Sequence, residues 1–192
     1  MLWRMNHGHS SLTDWGLAHI TVQKHFAILD IGCGGGKTIA KLAALVTKGK
    51  VSGVDYSDSS VAASKRTNKK QIDLHRVEIR QGSVSHLTYP DAEFDLVTAV
   101  ETLFFWPDLP SDMREVFRVI KPGGRFIVIA EVYKGMRTKS GKRFEEYAPV
   151  MGMTLLTVDE HRHLFESAGF SSVSVSEDAA KGWLCVTGIK TA

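Results

Sequence analysis

The chain has 192 residues, 43% of them apolar, and its 24 basic and 21 acidic side chains leave a net charge of +3. This size suits one domain with a sizeable core, and so balanced a charge does not require a nucleic-acid partner. Two cysteines form no disulfide framework, no apolar run approaches the ~20 residues of a membrane span, and the first residues lack a signal-peptide core. We therefore expect a cytoplasmic domain, monomeric or homodimeric, with neither a nucleic-acid nor a membrane partner.

The first 25 residues show no strand pattern. Residues 11–14 predict the cap of a helix that carries Trp15 and Ile20. His7 and His9 precede this helix without acidic or cysteine partners, so we interpret them as part of a polar segment rather than as metal ligands. We expect no metal site in the chain.

A glycine-rich turn follows the first predicted strand. The apolar run at 28–31 leads into residues 32–36, four of which are glycine. Apolar residues then recur at helical spacing: Ile39, Leu42, Ala43 and Val46. Strand, turn and helix form the opening of a Rossmann-type βαβ unit. Because glycine allows close approach of the backbone, and the N–H groups at a helix start favour negative charge, we expect a ligand here.

Two common glycine loops fit this stretch incompletely. A dinucleotide-binding G-x-G-x-x-G motif requires glycine at the position of Lys37. A phosphate-binding P-loop ends as Gly36, Lys37 and Thr38 do, but its first glycine would fall on Ile31. The sequence therefore favours neither a dinucleotide enzyme nor a P-loop nucleotidase.

A third pattern, apolar-apolar-acid-apolar-G-x-G-x-G, fits without a gap, with Asp30 as the acid and Gly32, Gly34 and Gly36 as the glycines. It resembles the first motif of the class I S-adenosylmethionine-dependent methyltransferases. The resemblance implies that Asp30 helps to hold the ammonium group of S-adenosylmethionine. It also implies that Gly32, Cys33 and Gly34 face the amino-acid end of this cofactor.

The second predicted strand, at 50–55, ends in Asp55. This carboxylate follows Gly32 by 23 positions, close to the ~20 expected for the residue that accepts hydrogen bonds from a ribose. Tyr56 is then placed to stack on the adenine. The alternative role for Asp55 is the N-cap of a helix over 57–70, a position that Ser57 fills equally well.

A third strand is predicted at 77–81, followed by Gly82, Ser83 and Val84. The resembling methyltransferases usually have Gly-Asp-Ala here, and their aspartate accepts a hydrogen bond from the adenine amino group. Ser83 replaces that aspartate. A neutral hydroxyl is a weaker acceptor, so we expect looser adenine recognition, with the backbone of Ser83 and Val84 as a substitute.

Residues 94–101 resemble the fourth strand of the same family, which begins with Phe-Asp and ends over the cofactor. Val100 is therefore expected to contact the cofactor. Ligands of open α/β sheets lie at the carboxyl ends of the strands, so Glu101, Thr102 and one aromatic residue of 104–106 are expected to line the pocket.

The next helix is predicted to start at Pro107 and to bury Ile120. Residues 121–124, Lys-Pro-Gly-Gly, stop it before a fifth strand at 126–130. From 132 to 154 the periodic pattern lapses into a basic stretch, at the place where the resembling family inserts substrate lids.

The last part of the chain contains a predicted capping box at Thr157 and Glu160, which opens a helix that ends at Gly169. Two final strands, one around Val173 and one at 183–189, are interpreted as an antiparallel hairpin.

These elements predict an α/β fold, a three-layer α/β/α sandwich with a Rossmann-like, mostly parallel sheet of seven strands and a C-terminal antiparallel hairpin. One methyltransferase domain is expected over residues 1–192. The resemblance implies that 1–25 form an N-terminal lid and that 132–154 form an inserted lid loop.

The implied function is transfer of a methyl group from S-adenosylmethionine to a nucleophile on a small molecule. Because a sulfonium is a good leaving group, positioning and exclusion of water suffice, and a base is needed only for a protonated acceptor. The candidates for that base are Glu101, His9 and Tyr133. The alternative is a sensor or partner subunit that binds S-adenosylmethionine or S-adenosylhomocysteine without turnover.

Overall fold

The structure is a computed structural model that describes residues 10–136 and 139–191, with 139–142 described by their backbone alone. The strands are β1 (Ala27–Ile31), β2 (Lys50–Asp55), β3 (Val77–Gln81), β4 (Phe94–Val100), β5 (Ile120–Ala130), β6 (Ser171–Asp178) and β7 (Trp183–Ile189). The helices are α1 (Ser10–Leu17), α2 (Lys37–Leu45), α3 (Asp58–Thr67), α4 (Lys69–Asp73), α5 (Leu109–Val119), α6 (Lys139–Tyr147) and α7 (Val158–Ser167). A 3₁₀ turn occupies Leu103–Phe105.

The strands form one sheet in the order β3-β2-β1-β4-β5-β7-β6. β1 to β5 pair in parallel, whereas β7 runs antiparallel to both of its neighbours, β5 and β6. The direction of chain progression reverses between β1 and β4, so their carboxyl ends open a crevice at the topological switch point. The predicted seven-stranded sheet and its C-terminal hairpin are confirmed.

The sheet carries a core on each face, and β1 contributes to both. Ile28 is fully buried beneath α1, α2 and α3, whereas Leu29 is fully buried on the opposite face with residues of α5 and α7. Adjacent strand residues point to opposite faces, so a strand buried on both sides needs this uninterrupted apolar run. The three-layer α/β/α architecture is therefore confirmed.

α1 packs against α2 and the strands β5 and β7. Leu12 is fully buried there, and a Cβ atom at Gly16 would overlap the side chain of Ile129. Residues 10–17 thus form part of the core of one face and do not line the cavity described below. The first nine residues of the expected lid, including His9, lie outside the described residues.

The helix predicted over 57–70 is wrong in its extent, because it is divided at Asn68 into α3 and α4. The Asn68 side chain turns away from solvent and donates to the carbonyl oxygens of Gly36 and Ser64, at 2.9 and 3.0 Å. The predicted start of the next helix is also wrong. Asp108 is the N-cap of α5 and accepts a hydrogen bond from the Ser111 N–H, so the helix begins at Leu109, two residues after the predicted Pro107.

The fifth strand begins earlier than predicted, and Ile120 belongs to β5 rather than to the preceding helix. Phe94 pairs with Ile120 and Leu96 with Arg125, so the intervening Lys-Pro-Gly-Gly segment bulges out of the ladder. Ile120 is nevertheless fully buried, as its apolar character requires.

The stretch predicted as a loop at 132–154 contains the helix α6. Backbone hydrogen bonds attach its two ends to the domain: Lys134 N–H to the Leu156 carbonyl at 2.9 Å, and Thr154 N–H to the Phe104 carbonyl at 2.8 Å. Met136, Ala148 and Met153 are buried in the core. Among the described residues, no helix is long and apolar enough to span a membrane.

Candidate active site

A cavity of about 520 Å³ lies at the carboxyl ends of β1, β2 and β4, at the switch point of the sheet. Its lining consists of Ile31, Gly32, Gly34, Val54, Asp55, Tyr56, Ser60, Gly82, Ser83, Val84, Glu101, Thr102, Phe105, Trp106 and Pro107. Seven of the twelve residues predicted to bind the cofactor or act as a base are among them: Gly32, Gly34, Asp55, Tyr56, Ser83, Val84 and Glu101.

The glycine loop enters the cavity with three residues at positive φ, which glycine tolerates and other residues rarely adopt. A Cβ atom at Gly32 would overlap the side chain of Thr102, and one at Gly36 would meet α3. Gly34 differs, because its Cβ would project into open space, with the Gly32 carbonyl oxygen nearest at 4.0 Å. The backbone at Gly34 is therefore open to close approach by a ligand.

Asp55 supports this loop through both carboxylate oxygens. They accept hydrogen bonds from the N–H of Gly34 at 2.8 Å and from the N–H of Ser57 at 2.9 Å. Ser57 is the N-cap of α3, so the alternative capping role for Asp55 is not the one that the structure shows. The half-buried carboxylate at the end of β2 thus keeps its remaining lone pairs beside the cavity.

Asp30 lies beneath the glycine loop rather than among the residues that line the cavity. It is 1% exposed, and the hydroxyl of the buried Thr98 donates to it at 2.5 Å. The pKa of the Asp30 carboxyl is raised from 3.8 to about 7, chiefly by burial; the Thr98 hydrogen bond opposes this increase and the nearby charge of Asp55 adds to it. A cationic ligand group close by would favour the ionised form.

Cys33 turns its side chain into the core, where its Sγ lies 3.7 Å from the Ser64 hydroxyl. Burial, together with the negative charge of Asp30, raises the pKa of the Cys33 thiol to about 12. A thiol with such a pKa is a poor nucleophile near neutral pH, so any contact with a ligand falls to the Cys33 backbone. Val100 is half-buried and packs beside α1 and α2 rather than lining the cavity.

The segment after β3 forms another wall of the cavity. The Ser83 hydroxyl oxygen accepts a hydrogen bond from the Ser85 N–H at 3.2 Å, and Val84 is buried. One Ser83 lone pair is thus already used within the loop, which fits the expected weakness of this residue as an adenine acceptor. Tyr56 is largely exposed at the rim of the cavity.

Glu101 follows β4 and has the unusual backbone angle φ +57° for a residue with a side chain. Its N–H donates to the Ile129 carbonyl at 2.9 Å, and its carboxylate accepts from the Glu131 N–H at 2.5 Å. These bonds hold the carboxylate across the carboxyl ends of β4 and β5. The structure therefore brings Glu101 to the cavity in a defined orientation.

Tyr133, the other described candidate base, lies elsewhere. Its side chain is buried, and its hydroxyl donates to the Glu177 carboxylate of β6 at 2.9 Å. It does not line the cavity. Among the described residues, no cluster of histidine, cysteine and carboxylate side chains is arranged to hold a metal ion.

The sequence analysis missed several residues of the lining. Ser60 lies in the first turn of α3, and nothing in its sequence context distinguishes it from the neighbouring serines. Pro107 was likewise not predicted, whereas Thr102 and one aromatic residue of 104–106 were expected here, and both Phe105 and Trp106 line the cavity. Phe105 is half-exposed at the cavity, whereas Trp106 stacks on Phe126 with ring centroids 6.1 Å apart.

The Methyltransferase domain family matches residues 29–128, which is more than half of the chain. The chain belongs to this methyltransferase family. The cofactor of this family is S-adenosylmethionine. The residues present fit this cofactor. The open backbone at Gly34, the Asp55 carboxylate and the buried Asp30 lie together at the carboxyl ends of β1 and β2.

Curated relatives of this methyltransferase carry methyltransferase names. It is 27% identical over 150 residues to O-methyltransferase cnsE of Penicillium expansum, which covers 78% of the chain and 54% of that protein. It is 37% identical over 109 residues to the demethylmenaquinone methyltransferase of Listeria monocytogenes, with coverage of 56% and 46%. The chain spans about half the length of these relatives.

Solved structures show the same fold at low sequence identity. A SAM-dependent methyltransferase from Aquifex aeolicus superposes with a TM-score of 0.82 at 21% identity, covering 99% of this chain and 97% of that one. The methyltransferase in complex with the Haloferax volcanii Trm112 activator gives a TM-score of 0.85 at 20% identity, covering 100% and 94%. These likenesses support the fold of the methyltransferase described here.

Proposed function

We propose that this methyltransferase transfers a methyl group from S-adenosylmethionine to a nucleophilic atom of a small molecule. The observation that carries the proposal is the convergence of the glycine loop, Asp55, the segment 82–84 and Glu101 around one cavity at the switch point. These residues come from four separate parts of the chain. A purely structural glycine turn would not need them together.

Different residues of the site hold different parts of the cofactor. The open backbone at Gly34 approaches the amino-acid end, Asp30 faces its ammonium group from below, and the Asp55 carboxylate accepts from the ribose hydroxyls. The backbone of Ser83 and Val84 lies where the adenine edge is expected, with Tyr56 at the rim.

When bound, S-adenosylmethionine supplies a methyl group on a positively charged sulfur that is a good leaving group. The protein therefore has to place the acceptor in line and exclude water. Phe105, Trp106 and Pro107 form the apolar wall that limits access of water. If the acceptor carries a proton, the Glu101 carboxylate at the cavity is the base that we propose.

A small acceptor is supported by the size of the site. A cavity of about 520 Å³ is within the size range of small-molecule sites, and it has to hold the cofactor as well as the reacting group of the acceptor. The relatives named above suggest the first acceptors to try, namely demethylmenaquinone and small molecules that carry a hydroxyl group. A cytoplasmic location and a monomeric or homodimeric state remain predictions.

The decisive experiment is calorimetric titration of the purified protein with S-adenosylhomocysteine, with NADH and ATP as parallel ligands. Micromolar binding of S-adenosylhomocysteine alone would support the proposed cofactor site. Binding of ATP instead would mean that Gly36, Lys37 and Thr38 act as a phosphate loop. Binding without methyl release to any acceptor would support the sensor or partner subunit.

The role of Glu101 is tested by Glu101→Gln, which keeps an oxygen for the Glu131 N–H but removes the negative charge. We expect turnover to fall by roughly 10²–10⁴-fold with an acceptor that must lose a proton, while binding of S-adenosylhomocysteine changes little. Glu93→Gln, at an exposed carboxylate just before β4 and outside the cavity lining, is the control. Unchanged turnover in Glu101→Gln would exclude a base at this position.

A further inference from the structure

The segment from Val132 to Met151 carries a cluster of exposed apolar side chains that neither the cofactor site nor the core uses. Val150 is 85% exposed, Tyr147 52%, Phe144 43% and Met151 43%. Phe144, Tyr147 and Met151 share one face of α6 and its continuation, because they are spaced by three and four residues. We refer to Phe144, Tyr147, Val150 and Met151 as the α6 patch.

In the described part of the chain, the other exposed large apolar residues do not form such a group, and Tyr56 and Phe105 among them belong to the cavity. Leu45 and Leu74 stand singly at the ends of α2 and α4, as is normal on protein surfaces. Four apolar residues within eight positions are different, since a contiguous apolar patch usually marks a contact surface. The α6 patch therefore needs an occupant.

The positive charge of this segment favours an anionic surface as the partner of the α6 patch. The stretch 132–151 contains five basic residues against two acidic ones, an excess of three that equals the net charge of the whole chain. Lys134 and Arg143 are exposed, whereas Glu145 turns back to accept a hydrogen bond from the Gly135 N–H at 2.5 Å. Basic side chains beside aromatic and aliphatic ones are typical of helices that lie in the surface of an anionic bilayer.

The position of the segment is also suited to such a surface. Thr154, three residues beyond the segment, donates its N–H to the Phe104 carbonyl of the 3₁₀ turn, and the Phe104 ring packs on Phe105 with centroids 4.8 Å apart. Phe105 is half-exposed and lines the cavity. A surface that binds the α6 patch would therefore lie near the mouth of the cavity.

We propose that the α6 patch and the basic residues around it bind reversibly to the surface of an anionic lipid bilayer. Val150, Tyr147, Phe144 and Met151 would enter the region between headgroups and acyl chains, while Lys134 and Arg143 contact the phosphates. The contact is peripheral, and it places the mouth of the cavity where apolar molecules dissolved in the bilayer are concentrated.

The test is flotation of the full chain with vesicles of phosphatidylcholine containing phosphatidylglycerol, against vesicles of phosphatidylcholine alone. We expect binding to the anionic vesicles, weakened by added salt. Val150→Asp should lower the partition coefficient by roughly tenfold, since it removes an aliphatic group that would enter the bilayer and adds a charge that anionic lipids repel. Replacing Lys134 and Arg143 by Gln should lower it by roughly fivefold for each cation.

Leu74→Asp is the matched control, because it places the same charge on another exposed apolar residue at the far edge beside β3. Equal effects of Leu74→Asp and Val150→Asp, or no binding of the unaltered chain to anionic vesicles, would overturn the proposal. So would a dimer, seen by light scattering, that Val150→Asp dissociates, because a second copy would then cover the patch. Vesicle binding needs neither cofactor nor acceptor, so its failure would leave the proposed methyl transfer unaffected.

Discussion

At the scale of single residues, Asp55 has both carboxylate oxygens bonded to the backbone of the site, to the N–H groups of Gly34 and Ser57. Asp55→Ala removes these two acceptors and the proposed ribose contact at once. We expect the affinity for S-adenosylhomocysteine to fall by about 1–3 kcal/mol, measured by calorimetry. Asp73→Ala, which removes an exposed partner of Lys69, should bind normally. A folded Asp55→Ala protein with unchanged affinity would refute the assignment.

Asp30 differs from Asp55 because it is fully buried, and its carboxyl pKa is raised to about 7, chiefly by this burial. The folded state then keeps a proton that the unfolded chain releases near pH 4, so the folded state binds more protons between these values. The free energy of unfolding therefore decreases as pH rises through this window, and the loss is complete above pH 7. The cost of burying the charge has an upper limit of about 4 kcal/mol.

We accordingly expect Asp30→Asn, without cofactor, to be more stable than the natural sequence at pH 8 and similar to it at pH 4 to 5. Urea denaturation at several pH values measures this difference. The same variant should bind S-adenosylmethionine more weakly, because its neutral amide cannot pair with an ammonium group. If the free energy of unfolding depended on pH in the same way in both proteins, Asp30 would have to be ionised in the folded state.

At the scale of secondary structure, the division between α3 and α4 supports the glycine loop. The Asn68 amide joins the Gly36 carbonyl at the start of α2 to the end of α3. Asn68→Ala leaves both carbonyl oxygens without this donor in a buried place, so we expect the free energy of unfolding to fall by about 1–3 kcal/mol. Cofactor affinity should fall with it.

Thr67→Ala is the neighbouring control, since the Thr67 hydroxyl bonds only within its own helix and is exposed. Chemical denaturation and calorimetry on both variants give the two free energies. If Asn68→Ala destabilises the protein no more than Thr67→Ala does, the division of the helix has no supporting role.

The elements that the sequence predicted well are those with a strong local signal. The glycine loop and the Thr157 capping box are examples, since each depends on residue types at fixed spacing. The predictions were wrong where a contact with a residue distant in sequence sets the end of a helix or the start of a strand. Asn68 ends α3 because its amide meets Gly36, 32 residues away, and Ile120 joins β5 because it pairs with Phe94. Neither contact is visible in a local pattern.

At the scale of the whole molecule, the sheet order and the cavity follow from the apolar strands and the switch point, which the sequence does indicate. Average properties were less informative about surfaces. The net charge of +3 over 192 residues does not show how charge is distributed. Residues 132–151 alone have three more basic than acidic residues. The expectation of no membrane partner rested on the lack of an apolar run long enough to span a bilayer, which a peripheral contact does not need. The α6 patch became visible only with the exposure of each side chain.

The N-terminal lid, predicted over residues 1–25, has two parts with different expected contributions. The core already begins at Leu12 of α1, which is fully buried against the face formed by α2 and the sheet. Deleting residues 1–9 therefore spares this packing, and we expect the free energy of unfolding to change by less than about 1 kcal/mol. Turnover should fall by roughly tenfold or more if the segment closes over the cavity.

Leu12→Ala provides the contrast, because emptying a fully buried position costs about 2–5 kcal/mol of stability. Urea denaturation and initial rates, measured on both variants and on the full chain, separate the two effects. A deletion that lowers stability as much as Leu12→Ala does would mean that residues 1–9 also belong to the core. A deletion that changes neither quantity would mean that residues 1–9 do not close over the cavity.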